Sequence, residues 1–143
     1  AFEPDPVIGA LAAQNLAQLQ HPGLTLHHQA VWTTNGRLDF FQHDVDGGSL
    51  KSGAQTTKVT VETVDLLERL QKETSVDFLK MDIEGAELDL LEAMETHGFF
   101  EKVGLTVAET HERKFAHLAP RFAALRTRIA ARHPITRVNL DWI

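Results

Sequence analysis

The sequence predicts an α/β fold, a mainly parallel sheet with helices on both faces. Three observations predict it. Short β-prone runs alternate with stretches whose apolar residues recur at helical spacing. The run Val76-Asp77-Phe78-Leu79-Lys80-Met81-Asp82 reads as a buried strand, and Ile83-Glu84-Gly85 turns it into an amphipathic helix. Polar residues collect where strands end, which is where open α/β sheets bind their ligands.

The chain opens on Phe2-Glu3, which reads as the end of a strand. Asp5-Pro6 then starts a helix, because Asp can cap free N–H groups and Pro is tolerated in the first turn. Val7, Ala10 and Leu11 share a face, so the helix runs over 6–20 until His21-Pro22-Gly23 stops it. Residues 24–32 are strand-like and lead through Asn35-Gly36 into Leu38-Asp39-Phe40-Phe41. Asn-Gly between β-prone runs predicts a hairpin, since both central residues of that turn need positive φ. Residues 42–57, rich in Gly, Ser and Asp, read as a long loop, and loops of that length are commonly functional or mobile.

Residues 58–62 form a short predicted strand, and 63–73 a helix with Val64, Leu67 and Leu70 on one side. After the strand over 76–82, a helix over 86–97 carries Leu88, Leu91 and Met94, with Gly98 closing it. Residues 103–109 are another strand. Phe115, Leu118, Phe122, Leu125 and Ile129 recur at helical spacing, and Pro120 makes that helix start near Ala119 or kink there. Residues 135–143 alternate as a final strand.

Composition narrows the classes. The 143 residues fit one domain with one core. They are 43% hydrophobic and 24% charged, ordinary for a soluble globular protein. No apolar run approaches the roughly 18 residues of a membrane span, and no signal peptide is visible. The absence of cysteine excludes disulfides and thiolate zinc sites, and fits a cytoplasmic protein. A formal net charge of −6 argues against a nucleic-acid partner. The charge is uneven, however. Arg113, Lys114, Arg121, Arg126, Arg128, Arg132 and Arg137 face a single acidic residue, Glu112, over that stretch. A solvated helix face explains this more simply than an anion site.

Three strand ends supply candidate site residues. Glu3 is placed to accept hydrogen bonds from a ribose diol, or merely to sit favourably near a helix N-terminus. Lys80 and Asp82, two apart in a strand, point to the same side; they are either a structural ion pair or a used one. Glu84 and Glu87 fall near the start of the next helix, where carboxylates are favoured anyway, and Glu87 reads as structural. His111 follows Glu109 by two residues, so the pair can share a face, and a histidine there can serve as a general base. Alone, it would more often be a surface or capping histidine. No histidine spacing matches a metal-ligand pattern, and no metal is expected.

Together these segments resemble the FkbM-type methyltransferase domain. The resemblance rests on Ala1-Phe2-Glu3-Pro4-Asp5-Pro6 followed by Asn15-Leu16, and on Gln29-Ala30-Val31-Trp32 before Asn35-Gly36. It rests above all on Asp77-Phe78-Leu79-Lys80-Met81-Asp82-Ile83-Glu84-Gly85-Ala86-Glu87, with Glu109-Thr110-His111 in support. It covers essentially all of 1–143. The resemblance implies a Rossmann-like class I fold and methyl transfer from S-adenosylmethionine, usually to a hydroxyl oxygen of a small molecule or glycan. By position, Glu3 would hold the cofactor ribose, and Ala30 and Val31 would lie near the adenine. Asp82 and Glu84 would flank the methionine end and the acceptor, with Lys80 beside them and His111 as the base. The family's first strand and glycine-rich loop should precede Glu3 and are not among these residues. The expectation is therefore the C-terminal two-thirds of such a domain, with the upstream part lying outside this chain in preference to a gap filled by another chain or a rearranged fold. A non-catalytic binding or assembly module is the alternative, another nucleotide-binding Rossmann domain is disfavoured by the run from Lys80 to Glu87, and a homo-oligomer is left open.

Overall fold

The computed structural model describes residues 1–42 and 57–141, so the predicted loop over 42–57 lies almost wholly outside the described residues. The chain divides into two compact units, Ala1–Asp65 and Leu66–Ile143. Each contains a three-stranded sheet.

The first unit begins with Phe2 bridged in parallel to His27, with the two rings stacked at 4.8 Å between centroids. Helix α1 (Pro6–Leu19) starts where Asp5 predicts. The Asp5 carboxylate accepts the N–H groups of Val7 and Ile8 at 2.8 and 3.1 Å, satisfying two of the donors a helix start leaves open. Strands β1 (Ala30–Trp32), β2 (Gly36–Gln42) and β3 (Thr57–Asp65) are ordered β1-β3-β2. This order overturns the predicted hairpin at Asn35-Gly36. β1 and β2 do not pair, because β3 lies between them, parallel to β1 and antiparallel to β2, with Thr63 opposite both Ala30 and Gly36. Asn35 instead ties the connection to the end of β3, where its Oδ1 accepts the Asp65 N–H at 2.9 Å. The strand expected over 24–32 is regular only at its end. The strand expected over 58–62 extends through the β-branched Thr63 and Val64, so helix α2 (Leu66–Gln71) begins later and is shorter than predicted. Ala30, Phe40 and Val61 form a small core with Val59 against it.

The second unit holds β4 (Val76–Met81), β5 (Val103–Ala108) and β6 (Val138–Asn139), parallel throughout in the order β4-β5-β6. Parallel strands need crossovers, and α3 (Glu87–Thr96) and α4 (Ala119–Arg132) supply them. Leu88, Leu90, Leu91 and Met94 of α3 are fully buried, each contributing roughly 1.5–3 kcal/mol of transfer free energy. Phe122, Leu125 and Ile129 bury the matching stripe of α4. That helix starts at Ala119, after a short 3-10 turn at Ala116–Leu118, so Pro120 lies in its first turn and introduces no kink. Gly98 follows α3 in the left-handed region at φ +68°. The final strand is two residues long instead of the run expected over 135–143, whose last two residues lie outside the described ones.

One polar atom in this sheet is out of place. Thr106, at the centre of β5, is fully buried, and its hydroxyl has no hydrogen-bond partner among the described residues.

The basic stretch is not a free cationic face. Arg121 bonds Asp89 and Glu92, and Arg128 and Arg132 both reach Glu95, so α4 is laced to α3. Arg126 pairs with Glu112 and Asp141, and Arg137 caps backbone carbonyls of Phe100, Glu101 and Val103.

Candidate functional site

Parallel register builds the site. Met81 of β4 lies opposite Ala108 of β5, so the residues that follow each strand emerge side by side. Asp82, Glu84, Glu109 and His111 are brought together in this way.

The turn after β4 is unusual. Glu84 has φ +53° and Gly85 φ +102°. A left-handed glutamate costs backbone energy and tends to persist where surrounding contacts over-determine it. Here the contact is Glu87. Its fully buried carboxylate accepts the Ile83 N–H at 3.0 Å through Oε1 and the Gly85 N–H at 2.9 Å through Oε2. Gly85 is required for a second reason, since a Cβ there would collide with the ring of Phe115.

His111 is 5% exposed, and its two ring nitrogens face different partners. Nδ1 lies 2.8 Å from Glu87 Oε1. Nε2 lies 3.3 Å from Glu84 Oε2 and 3.7 Å from Glu109 Oε1. Two lysines balance the acids: Lys114 Nζ is 2.7 Å from Glu84 Oε2, and Lys80 Nζ is 3.5 Å from Asp82 Oδ2. The expected same-side placement of Lys80 with Asp82, and of Glu109 with His111, is thus found. The surface or capping reading of His111 is not, because the ring is buried inside an acidic cage. The structural reading of Glu87 is half right, for it braces the turn and also holds the histidine. Sequence alone missed this role, and it missed Lys114.

Asp82, Glu84 and His111 each offer a ligand atom within 4.8 Å of the others, a group of metal-capable side chains that histidine spacing alone did not predict. A cation would compete there with the ammonium groups of Lys80 and Lys114. We read the trio as an ion-paired cluster on that ground.

Beside His111 is an open pocket of about 420 Å³ lined by Glu109, Thr110, Lys114, Arg126 and Leu140, among others. Glu112 borders it. Burial opposes ionisation of Glu112, but hydrogen bonds from Thr110 and its own backbone, together with Arg126, prevail and hold its pKa below the usual glutamate value.

Glu3, Ala30 and Val31 belong to the first unit. Glu3 is half-buried and its Oε1 accepts the Asp5 N–H at 2.8 Å. Burial raises its pKa, Asp5 adds to the rise by charge, and the backbone bond and His28 oppose it. Ala30 is buried in the small core, and Val31 is partly exposed beside Val64 of β3.

Comparison with curated proteins and with solved structures gives no match. The family model of the methyltransferase FkbM domain matches residues 1–133. That span takes in the ends of β4 and β5 and the site residues that follow them, and the chain belongs to the FkbM methyltransferase family.

Proposed function

We propose that this protein transfers a methyl group from S-adenosylmethionine to a hydroxyl oxygen of a small molecule or glycan. The observation that carries the reading is the placement of a buried histidine, one nitrogen braced by a buried carboxylate, at the adjoining carboxyl ends of β4 and β5.

S-adenosylmethionine, when bound, supplies an electrophilic methyl on a sulfonium. Each unit, taken by itself, carries groups that such a molecule could use. A half-buried carboxylate with a raised pKa, as at Glu3, gains from two hydroxyl donors, and one oxygen engaged with Asp5 leaves lone pairs for a ribose diol. Val31, which is partly exposed, supplies small apolar surface for an adenine edge, whereas Ala30 lies in the core behind it. Asp82 and Glu84, each already paired with a lysine, lie at the strand end where the methionine end would be held. The acceptor hydroxyl is placed in the pocket beside His111, whose Nε2 takes its proton as the oxygen bonds to carbon and the carbon–sulfur bond breaks. Glu84 and Glu109 then face the charged imidazolium.

The test is a calorimetric titration of the protein with S-adenosylmethionine. Saturable binding, weakened by Glu3→Ala, is the expected outcome. No binding at all would sink the enzyme reading and leave a binding or assembly module.

A further inference from the structure

The Glu87 carboxylate receives more donors than a helix start requires. Oε1 accepts N–H groups from Ile83 and Gly85, Oε2 accepts again from Gly85, and Nδ1 of His111 completes the shell. A fully buried carboxylate is costly unless its oxygens are satisfied, and the two amides alone would explain a brace for the turn. They do not explain an imidazole at 2.8 Å, reached from 24 residues away.

A carboxylate can only accept hydrogen bonds, so Nδ1 must carry the hydrogen. In a neutral ring that leaves the lone pair on Nε2. This is the nitrogen that faces Glu84 and Glu109. We propose that Glu87 is a positioning residue that fixes the orientation and tautomer of His111, so that Nε2 is the proton acceptor in methyl transfer.

The inference rests on the general-base reading of His111 but makes a claim of its own. The proton of the acceptor hydroxyl passes to Nε2, Glu87 remains ionised throughout, and no proton moves to it. Because the same carboxylate binds the Ile83–Gly85 turn, it ties the backbone carrying Glu84 to the ring that Glu84 faces. The groups around the ring are Glu87 from α3, Asp82 and Glu84 from the turn after β4, Glu109 from the end of β5, and Lys114 held on Glu84. Glu87 is the group within hydrogen-bond distance of Nδ1.

The test is a two-bond proton–nitrogen NMR correlation on protein labelled with nitrogen-15 in histidine, recorded at alkaline pH. His111→Gln identifies the signal. Expected in the wild type is a protonated Nδ1 and a bare Nε2. In Glu87→Leu, Nδ1 loses its acceptor, so the hydrogen moves to Nε2, which faces the Glu84 and Glu109 carboxylates. A wild-type ring with its hydrogen on Nε2, or a tautomer unchanged in Glu87→Leu, overturns the proposal. Should Glu87→Leu not fold, the wild-type spectrum decides alone. Calorimetry on the same samples separates the two claims. No S-adenosylmethionine binding by the wild type defeats the enzyme reading, whereas unchanged binding with a shifted tautomer in Glu87→Leu is the signature of positioning. With an acceptor in hand, that variant should lower kcat on the order of 10²-fold and leave the cofactor KM unchanged.

Discussion

Two glutamates of this protein titrate in opposite senses. Glu112, held by Thr110 and Arg126, has a pKa below the usual value of about 4.3. A lowered folded-state pKa contributes stability that is present above the unfolded value and is lost as pH falls through the folded one. Glu112→Gln should therefore destabilise at pH 7, by under about 1 kcal/mol given its partial exposure, and the difference should vanish in acid. Urea melts of both forms at pH 7 and pH 3 would show it. Glu3 carries the opposite sign. Its raised pKa, caused chiefly by burial, contributes stability that is present below the unfolded value and lost as pH rises through the folded one. Glu3→Gln should thus lose nothing at neutral pH in the absence of ligand. A group whose charge costs stability until a partner arrives is one suited to a binding role.

At the scale of elements, the turn between β4 and α3 shows how the site is held. Gly85 sits at φ +102°, with the Phe115 ring where a side chain would begin. Gly85→Ala should cost on the order of 1–3 kcal/mol in backbone strain alone, with more from displacing Phe115, and should shift the His111 NMR signals; an unperturbed melt and spectrum would show that the turn is less constrained. Much of this neighbourhood is legible in the sequence. The strand over 76–82, the turn at 83–85 and the helix after it follow from local pattern. So do the Asp5 cap and the start of α4, because their causes lie within a turn or two of the residue concerned. What is not legible has distant causes. Asn35-Gly36 looks like a hairpin only while β3 is ignored, and β3 enters between the strands from more than twenty residues downstream. Glu87 has a sufficient local explanation as a helix-start carboxylate. Only the parallel register of Met81 with Ala108 reveals that His111 must lie beside it.

For the whole molecule, charge is the readable quantity. The formal net charge is −6, and the basic residues between His111 and Arg137 look in sequence like a cationic block. In the structure six of the seven, Lys114, Arg121, Arg126, Arg128, Arg132 and Arg137, meet acidic side chains or carbonyl oxygens. Most of the block's charge is thus paired within the protein. The protein should pass through a heparin column at physiological salt without retention, and retention would point to an anion-binding surface. No helix among the described residues is long and apolar enough to cross a membrane. The family match covers residues 1–133, the adjoining ends of β4 and β5 among them.

The Thr106 hydroxyl, which has no hydrogen-bond partner among the described residues, has a use outside catalysis. Burying such a group without a partner costs about 1–3 kcal/mol, and valine fills nearly the same volume with a methyl. Thr106→Val should raise the melting temperature without touching the pocket. It gives an engineer a margin of robustness already built into the sheet, against which riskier substitutions around His111 can be introduced while the protein still folds.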